Sequence, residues 1–167
     1  MRHILLVLAV LTLFPSCSQD ETHTSRELRQ LLHSANPQYP YQGEVVFKEL
    51  SSGEIEVAVE LHGQRGREPY YFPAHLHYGA YERPDAPMAA LLNPVEMRTL
   101  KSTTVISELA DGQKLLFEDL ENFDGHVKIH LALDGPDYHI ILAAGNIGKN
   151  ADGNDLNTEK IAVCAPY

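Results

Sequence analysis

Along 54–62 the chain alternates strictly. Ile55, Val57, Val59 and Leu61 are separated by Glu54, Glu56, Ala58, Glu60 and His62. A period of two describes a strand with one buried and one wet face, and the glutamates belong to the wet one. A second alternation covers 126–133, where Val127, Ile129, Leu131 and Leu133 form the apolar face and His126, Lys128 and His130 point the other way. Segment 44–50 precedes the first alternation across Ser51-Ser52-Gly53, which reads as a hairpin loop. Further strands are predicted over 70–78, 88–92, 102–106, 138–144 and 160–165. Turn signals separate them: Arg83-Pro84-Asp85, Asp111-Gly112, Asp124-Gly125, Gly135-Pro136-Asp137 and Asp152-Gly153-Asn154. Many short strands with frequent turns predict an all-β sandwich or barrel.

One segment follows a different rule. Thr24-Ser25-Arg26-Glu27 has the spacing of a capping box, and Leu28, Leu31 and Leu32 follow at helical intervals. This predicts one short N-terminal helix over 24–34, stopped by Asn36-Pro37 and Pro40. A helical turn is predicted over 118–123. No internal repeat and no second domain is visible.

The amino terminus reads as a signal peptide over 1–16. Arg2 is followed by the apolar run 4–14, too short to cross ~30 Å of hydrocarbon as a helix. The run ends in Phe14-Pro15-Ser16-Cys17, which resembles the lipobox of bacterial lipoproteins, with Pro15 where a small or β-branched residue is usual. That resemblance implies cleavage before Cys17, lipidation of its thiol, and a lipid-anchored linker with the short helix over 17–42. A soluble secretory signal is the alternative. Ser18-Gln19-Asp20-Glu21 resembles an acidic export tag, implying the bacterial outer membrane, on its periplasmic or outward face. With Cys17 acylated, Cys164 would be the one remaining thiol, expected as a small buried hydrophobe.

Composition narrows the classes. The 167 residues are 44% hydrophobic and 22% charged, which excludes a disordered chain. A net charge of −10 with no basic cluster disfavours a nucleic-acid partner. No Gly-x-Ser-x-Gly, phosphate-binding loop or dinucleotide fingerprint is present. Asn150, Asp152, Asn154 and Asp155 approach a calcium loop, but no glutamate closes the spacing, so a solvated turn is expected. Tyr39, Tyr41, Tyr70, Tyr71, Tyr78 and Tyr81 suit either half-buried packing or a glycan or peptide surface.

The histidines carry the chemistry. His75 and His77 are two apart in a predicted strand, so they share a face with roughly 6.6 Å of rise between them. Ala74, Leu76 and Tyr78 take the core side. His130 lies on the non-core face of its own strand. If the strands are neighbours, three imidazoles can surround one ion, with His126 or His139 as further candidates for the open position. All-nitrogen ligation suits copper or zinc better than calcium or magnesium. An imidazole reference pKa near 6.5 sets the expectation that affinity falls below about pH 6. The competing reading is that these are ordinary solvent-facing histidines.

Several segments together carry a family resemblance. Phe72-Pro73-Ala74-His75-Leu76-His77-Tyr78-Gly79, Leu92-Asn93-Pro94-Val95, Lys101-Ser102-Thr103-Thr104, Phe123-Asp124-Gly125-His126-Val127-Lys128-Ile129-His130 and Gly145-Asn146-Ile147-Gly148 follow in that order. They resemble bacterial lipoproteins with a CHRD (chordin-type) domain, here over 43–167, with Asn146 where aspartate is expected. The chain is also distantly similar to Cu,Zn superoxide dismutase. That likeness implies a Greek-key β-sandwich or barrel and matches His75, His77 and His130 to copper ligands. No histidine lies between His77 and His126 to bridge two metals, the disulfide is absent, and Ile161 stands where a guiding arginine is expected. Efficient dismutation is therefore not implied. The reading is of a binding module rather than an enzyme: a membrane-anchored envelope lipoprotein holding copper or zinc through His75, His77 and His130. A non-metal interaction module, with an unidentified protein or glycan partner, is the first alternative, and a copper oxidoreductase the second.

Overall fold

The alternating segments form strands in the computed structural model, which describes residues 22–151 and 157–163. Eight strands are present: β1 (His23–Ser34), β2 (Gln42–Leu50), β3 (Ile55–His62), β4 (Tyr71–Tyr78), β5 (Met88–Glu96), β6 (Lys101–Ile106), β7 (Asp124–His130) and β8 (Ile141–Gly148). They close into a barrel in the order β1-β2-β3-β6-β5-β4-β7-β8, every neighbouring pair antiparallel. The fold is all-β, and among the described residues the helical elements are three short 3₁₀ turns: Phe117–Asn122, Pro136–His139 and Thr158–Lys160. No helix among those residues is long and apolar enough to cross a membrane.

The period-2 patterns decide what fills the barrel. Ile55, Val57, Val59 and Leu61 of β3 point inward, each at most 2% exposed. They pack with Phe47 of β2, Phe72, Ala74 and Leu76 of β4, Val127 and Ile129 of β7, and Leu142 of β8. Burying each of the larger side chains contributes roughly 1.5–3 kcal/mol. The wet face of β3 carries polar contacts, a hydrogen bond of Glu56 with His23 and an ion pair of Glu60 with Lys101, both 2.9 Å. Gly53 takes φ of +85° in the β2–β3 hairpin, a conformation that suits glycine.

The expected helix over 24–34 is a strand. Leu28 and Leu32 are four apart, a spacing that fits one face of a helix or of a strand equally well. Leu31, which a helix would bury beside them, lies on the outer face at 47% exposure. Residues of the expected capping box instead make cross-strand contacts: Thr24 Oγ1 donates to Glu49 at 3.0 Å and Arg26 reaches Glu49 at 3.0 Å, while Arg29 further along reaches Glu44 at 2.8 Å. The ladder to β2, from Leu28–Phe47 to Leu32–Gly43, replaces the helical hydrogen bonds.

Two other boundaries differ. The strand expected over 138–144 begins at Ile141, because Gly135 and Pro136 open a 3₁₀ turn that runs to His139. In 160–165, Lys160 ends a 3₁₀ turn and 161–163 are irregular, while Cys164 and Ala165 lie outside the described residues. So do Cys17 and the signal segment. The helical turn expected over 118–123 is present as Phe117–Asn122.

The strand ladders are unequal. Between β2 and β3 pairing runs from Gln42–His62 to Glu49–Ile55. By contrast β1 meets β8 through His33–Ala144 and Ser34–Ala143, and β5 meets β6 through Glu96–Lys101. These two thin seams divide the barrel into the shells β1-β2-β3-β6 and β5-β4-β7-β8. At the first seam the chains approach closely, since a Cβ on Gly145 would sit 2.1 Å from the Leu31 carbonyl oxygen.

Outside the second shell lies an additional layer of chain: the connection 79–87, the turn 136–139 and the segment 157–163. Tyr81 fastens it. Its N–H donates to Asn146 Oδ1 at 2.9 Å, its carbonyl accepts from Ala162 N at 3.0 Å, and its hydroxyl accepts from Asn157 N at 3.2 Å. Lys128 Nζ donates to the Ala162 carbonyl at 2.6 Å.

Candidate metal centre

Five consecutive outward positions of the β4–β7 pair are polar: His75 and His77 on β4, and His126, Lys128 and His130 on β7. The register sets His75 opposite Lys128 and His77 opposite His126. Outward-facing polar residues on a barrel would ordinarily meet water. Here the outer layer covers them, and all five are at most 1% exposed. The solvent-facing reading of the histidines is therefore overturned. A face that is non-core by strand pattern is buried because a second layer of chain lies on it.

Within this layer His75, His77 and His130 bring one ring nitrogen each to within 4.8 Å of one another. The His75 ring lies between the other two, 5.6 Å from His77 and 5.2 Å from His130 by centroids. The outer layer also sets two of the rings. His77 Nδ1 lies 3.1 Å from the Ala86 carbonyl, and His130 Nδ1 lies 2.9 Å from the Tyr138 carbonyl. A carbonyl only accepts, so each Nδ1 carries the proton and each Nε2 keeps its lone pair. Backbone partners of this kind orient metal-binding histidines and fix their tautomer. Tyr138 stacks on His130 at 4.7 Å and 12°, holding that ring from its face.

Burial sets the charge state. It pulls His75 down to about 4, helped by the neighbouring His130 and His77. His77 is also lowered to about 4 by burial, against a partial rise from the Ala86 carbonyl. His126 falls to about 3, through burial and then the Lys128 ammonium, and His130 is lowered mainly by burial. At neutral pH the rings are uncharged and available as ligands. At His75 and His77 proton competition is thereby displaced well below the pH 6 expected from the free imidazole, and at His130 it moves in the same direction.

The structure thus groups His75, His77 and His130, and leaves two other candidates outside the group. His126 stacks on His77 at 5.0 Å and 9°, with Nδ1 2.6 Å from the Gly79 carbonyl. His139 is exposed at the end of its 3₁₀ turn. The alternation of β7 already indicated that His126 and Lys128 share the His130 face. Their burial depends on loop chain that no local pattern announces, and the carbonyls of Ala86 and Tyr138 leave no trace in residue type.

The tyrosines divide. Tyr41 and Tyr81 are buried, whereas Tyr70 and Tyr71 are 41% and 53% exposed. Asn150 donates to Asp124, while 152–156 of the proposed turn lie outside the described residues. Compared with protein-family models, curated proteins and solved structures, the chain matches none. What the fold and site define is an all-β barrel with a buried three-histidine cluster that can hold a metal ion.

Proposed function

We propose that this chain is an envelope lipoprotein, anchored through Cys17, whose CHRD-like Greek-key barrel holds copper or zinc at His75, His77 and His130. One observation carries the metal reading: three buried ring nitrogens converge within 4.8 Å, and two of the rings are held by backbone carbonyls through Nδ1. Three imidazoles crowded in a buried layer bury their polar nitrogens for little packing gain, and a cation coordinated by them offsets that cost. Neutral nitrogen ligands favour copper(II) or zinc(II), with copper tighter in the general affinity order. Three protein ligands leave a fourth position, the pattern of a centre that exchanges a small ligand. The strand order supports the Greek-key reading, because β3 lies beside β6 and the hairpin-linked run β4-β5-β6 folds back onto it.

Titrating metal-free protein, produced without a histidine tag, with copper(II) or zinc(II) tests this. One site per chain is expected. His77→Ala and His130→Ala should each abolish it while circular dichroism keeps its β signal. Equal weak binding by wild type and both variants would leave the interaction-module reading in its place.

A further inference from the structure

His126 is part of the buried row but outside the three-nitrogen group, and its geometry gives it a separate task. It is the register partner of His77, and the two rings are parallel, 5.0 Å apart and 9° from coplanar. Both turn Nδ1 toward the same connection, His126 to the Gly79 carbonyl and His77 to the Ala86 carbonyl. His77 offers Nε2 to the centre, and His126 stacks directly on that ligand ring, one ring removed from the centre.

With the proton on Nδ1, the Nε2 of His126 is an acceptor. It is buried and has no hydrogen-bond partner among the described residues. An unmet buried acceptor costs roughly 1–3 kcal/mol, which a donor at that point would recover. The grouping of ligand atoms leaves His126 out, while its ring stacks on the ligand His77. Resting on the metal reading above, we propose that His126 is a positioning residue: its Nε2 accepts a hydrogen bond from a protic ligand, water in the resting state, held at the metal's remaining position. The site is thereby biased toward small ligands that carry an O–H or N–H and against aprotic anions.

The full chain loaded with copper(II) supplies the test, with azide as the probe because it displaces water and donates no hydrogen bond. Azide affinity is followed by visible absorption in wild type, His126→Phe and His126→Gln. In His126→Phe, copper stoichiometry should stay at wild-type level and azide should bind about tenfold tighter, since displacing water no longer breaks a hydrogen bond. The amide oxygen in His126→Gln should return azide affinity toward wild type. A purely structural role would loosen copper and azide together.

Nitrogen-15 NMR of zinc-loaded wild type gives a readout that needs no substitution. There His126 Nε2 should stay unmetallated and show an accepted hydrogen bond absent from the metal-free protein. Azide affinity unchanged or weaker in a folded His126→Phe overturns the proposal, as does a metal-bound shift at His126 Nε2. If His126→Phe fails to fold, the NMR result decides alone. Wild type that takes up no copper refutes the metal reading itself, an outcome distinct from all of these.

Discussion

Acid should unfold the metal-free protein through its histidines, well above the range in which its carboxylates titrate. Consider a change from pH 7 to pH 5. In the unfolded chain imidazoles with a reference pKa of 6.5 take up protons. In the fold His75 and His77 are held at about 4 and His126 at about 3, so they stay neutral. The unfolded state then binds more protons, and stability falls as pH falls. The loss begins near 6.5 and continues to about 4 for His75 and His77, and further for His126. Each group contributes about 1.4 kcal/mol per pH unit, so roughly 2 kcal/mol each by pH 5 and about 6 kcal/mol for the three. His130 is displaced in the same direction and adds to this. A domain stable by about 5–15 kcal/mol would lose a large part of that margin. Glu27, Glu60 and Asp124 have carboxyls lowered by their partners, so they do not titrate in this window. Urea unfolding followed by circular dichroism between pH 7.5 and 5 measures the slope, and His126→Leu should remove about 2 kcal/mol of the change. A total change below about 2 kcal/mol would show that the row takes up protons in place, and the neutral-cluster argument would fail.

Four further outcomes follow, three from the structure and the last from the anchor proposed at Cys17. Zinc or copper, once bound, should remain bound at pH 5.5, because burial holds His75 and His77 at about 4 and lowers His130; metal release measured by equilibrium dialysis near pH 6 would contradict this. Val59→Asp and Ile129→Asp, at 2% and 0% exposure, should each cost several kcal/mol in urea unfolding, while Glu56→Ala on the wet face should cost under about 1 kcal/mol. Gly145→Ala should lower the melting temperature sharply, since its Cβ would overlap the Leu31 carbonyl; a change within about 0.5 kcal/mol would refute the close approach. Cys17→Ser should release the protein from membranes or leave it misprocessed, which fractionation and mass spectrometry would detect.

The strands with strict alternation were legible because one face packs and the other is wet, and β3 follows that rule at every position. β1 was misread for a physical reason: Leu28 and Leu32 satisfy both periods, and only the ladder to β2 decides between them. The His75, His77 and His130 grouping was legible in part. Spacing put His75 and His77 on one face, but whether β4 and β7 are neighbours is a property of topology. Burial of the row was not legible at all, because it comes from 79–87, 136–139 and 157–163 folding over the outside of the sheet. Asn146, which stood out only as a departure from a family pattern, caps the buried N–H of Tyr81 in that layer.

The thin seams of the barrel have a mechanical consequence. Where β1 meets β8 and β5 meets β6, few ladder bonds must break for the strands to fray, so local opening should start along these lines. His75, His77, His126 and His130 all lie away from the seams, on strands joined from Ala74–Ile129 to Tyr78–Gly125. Fraying at a seam is therefore expected to leave their spacing untouched. Amide hydrogens at His33, Ser34 and Lys101 should exchange with solvent well ahead of those at 75–77 and 126–129.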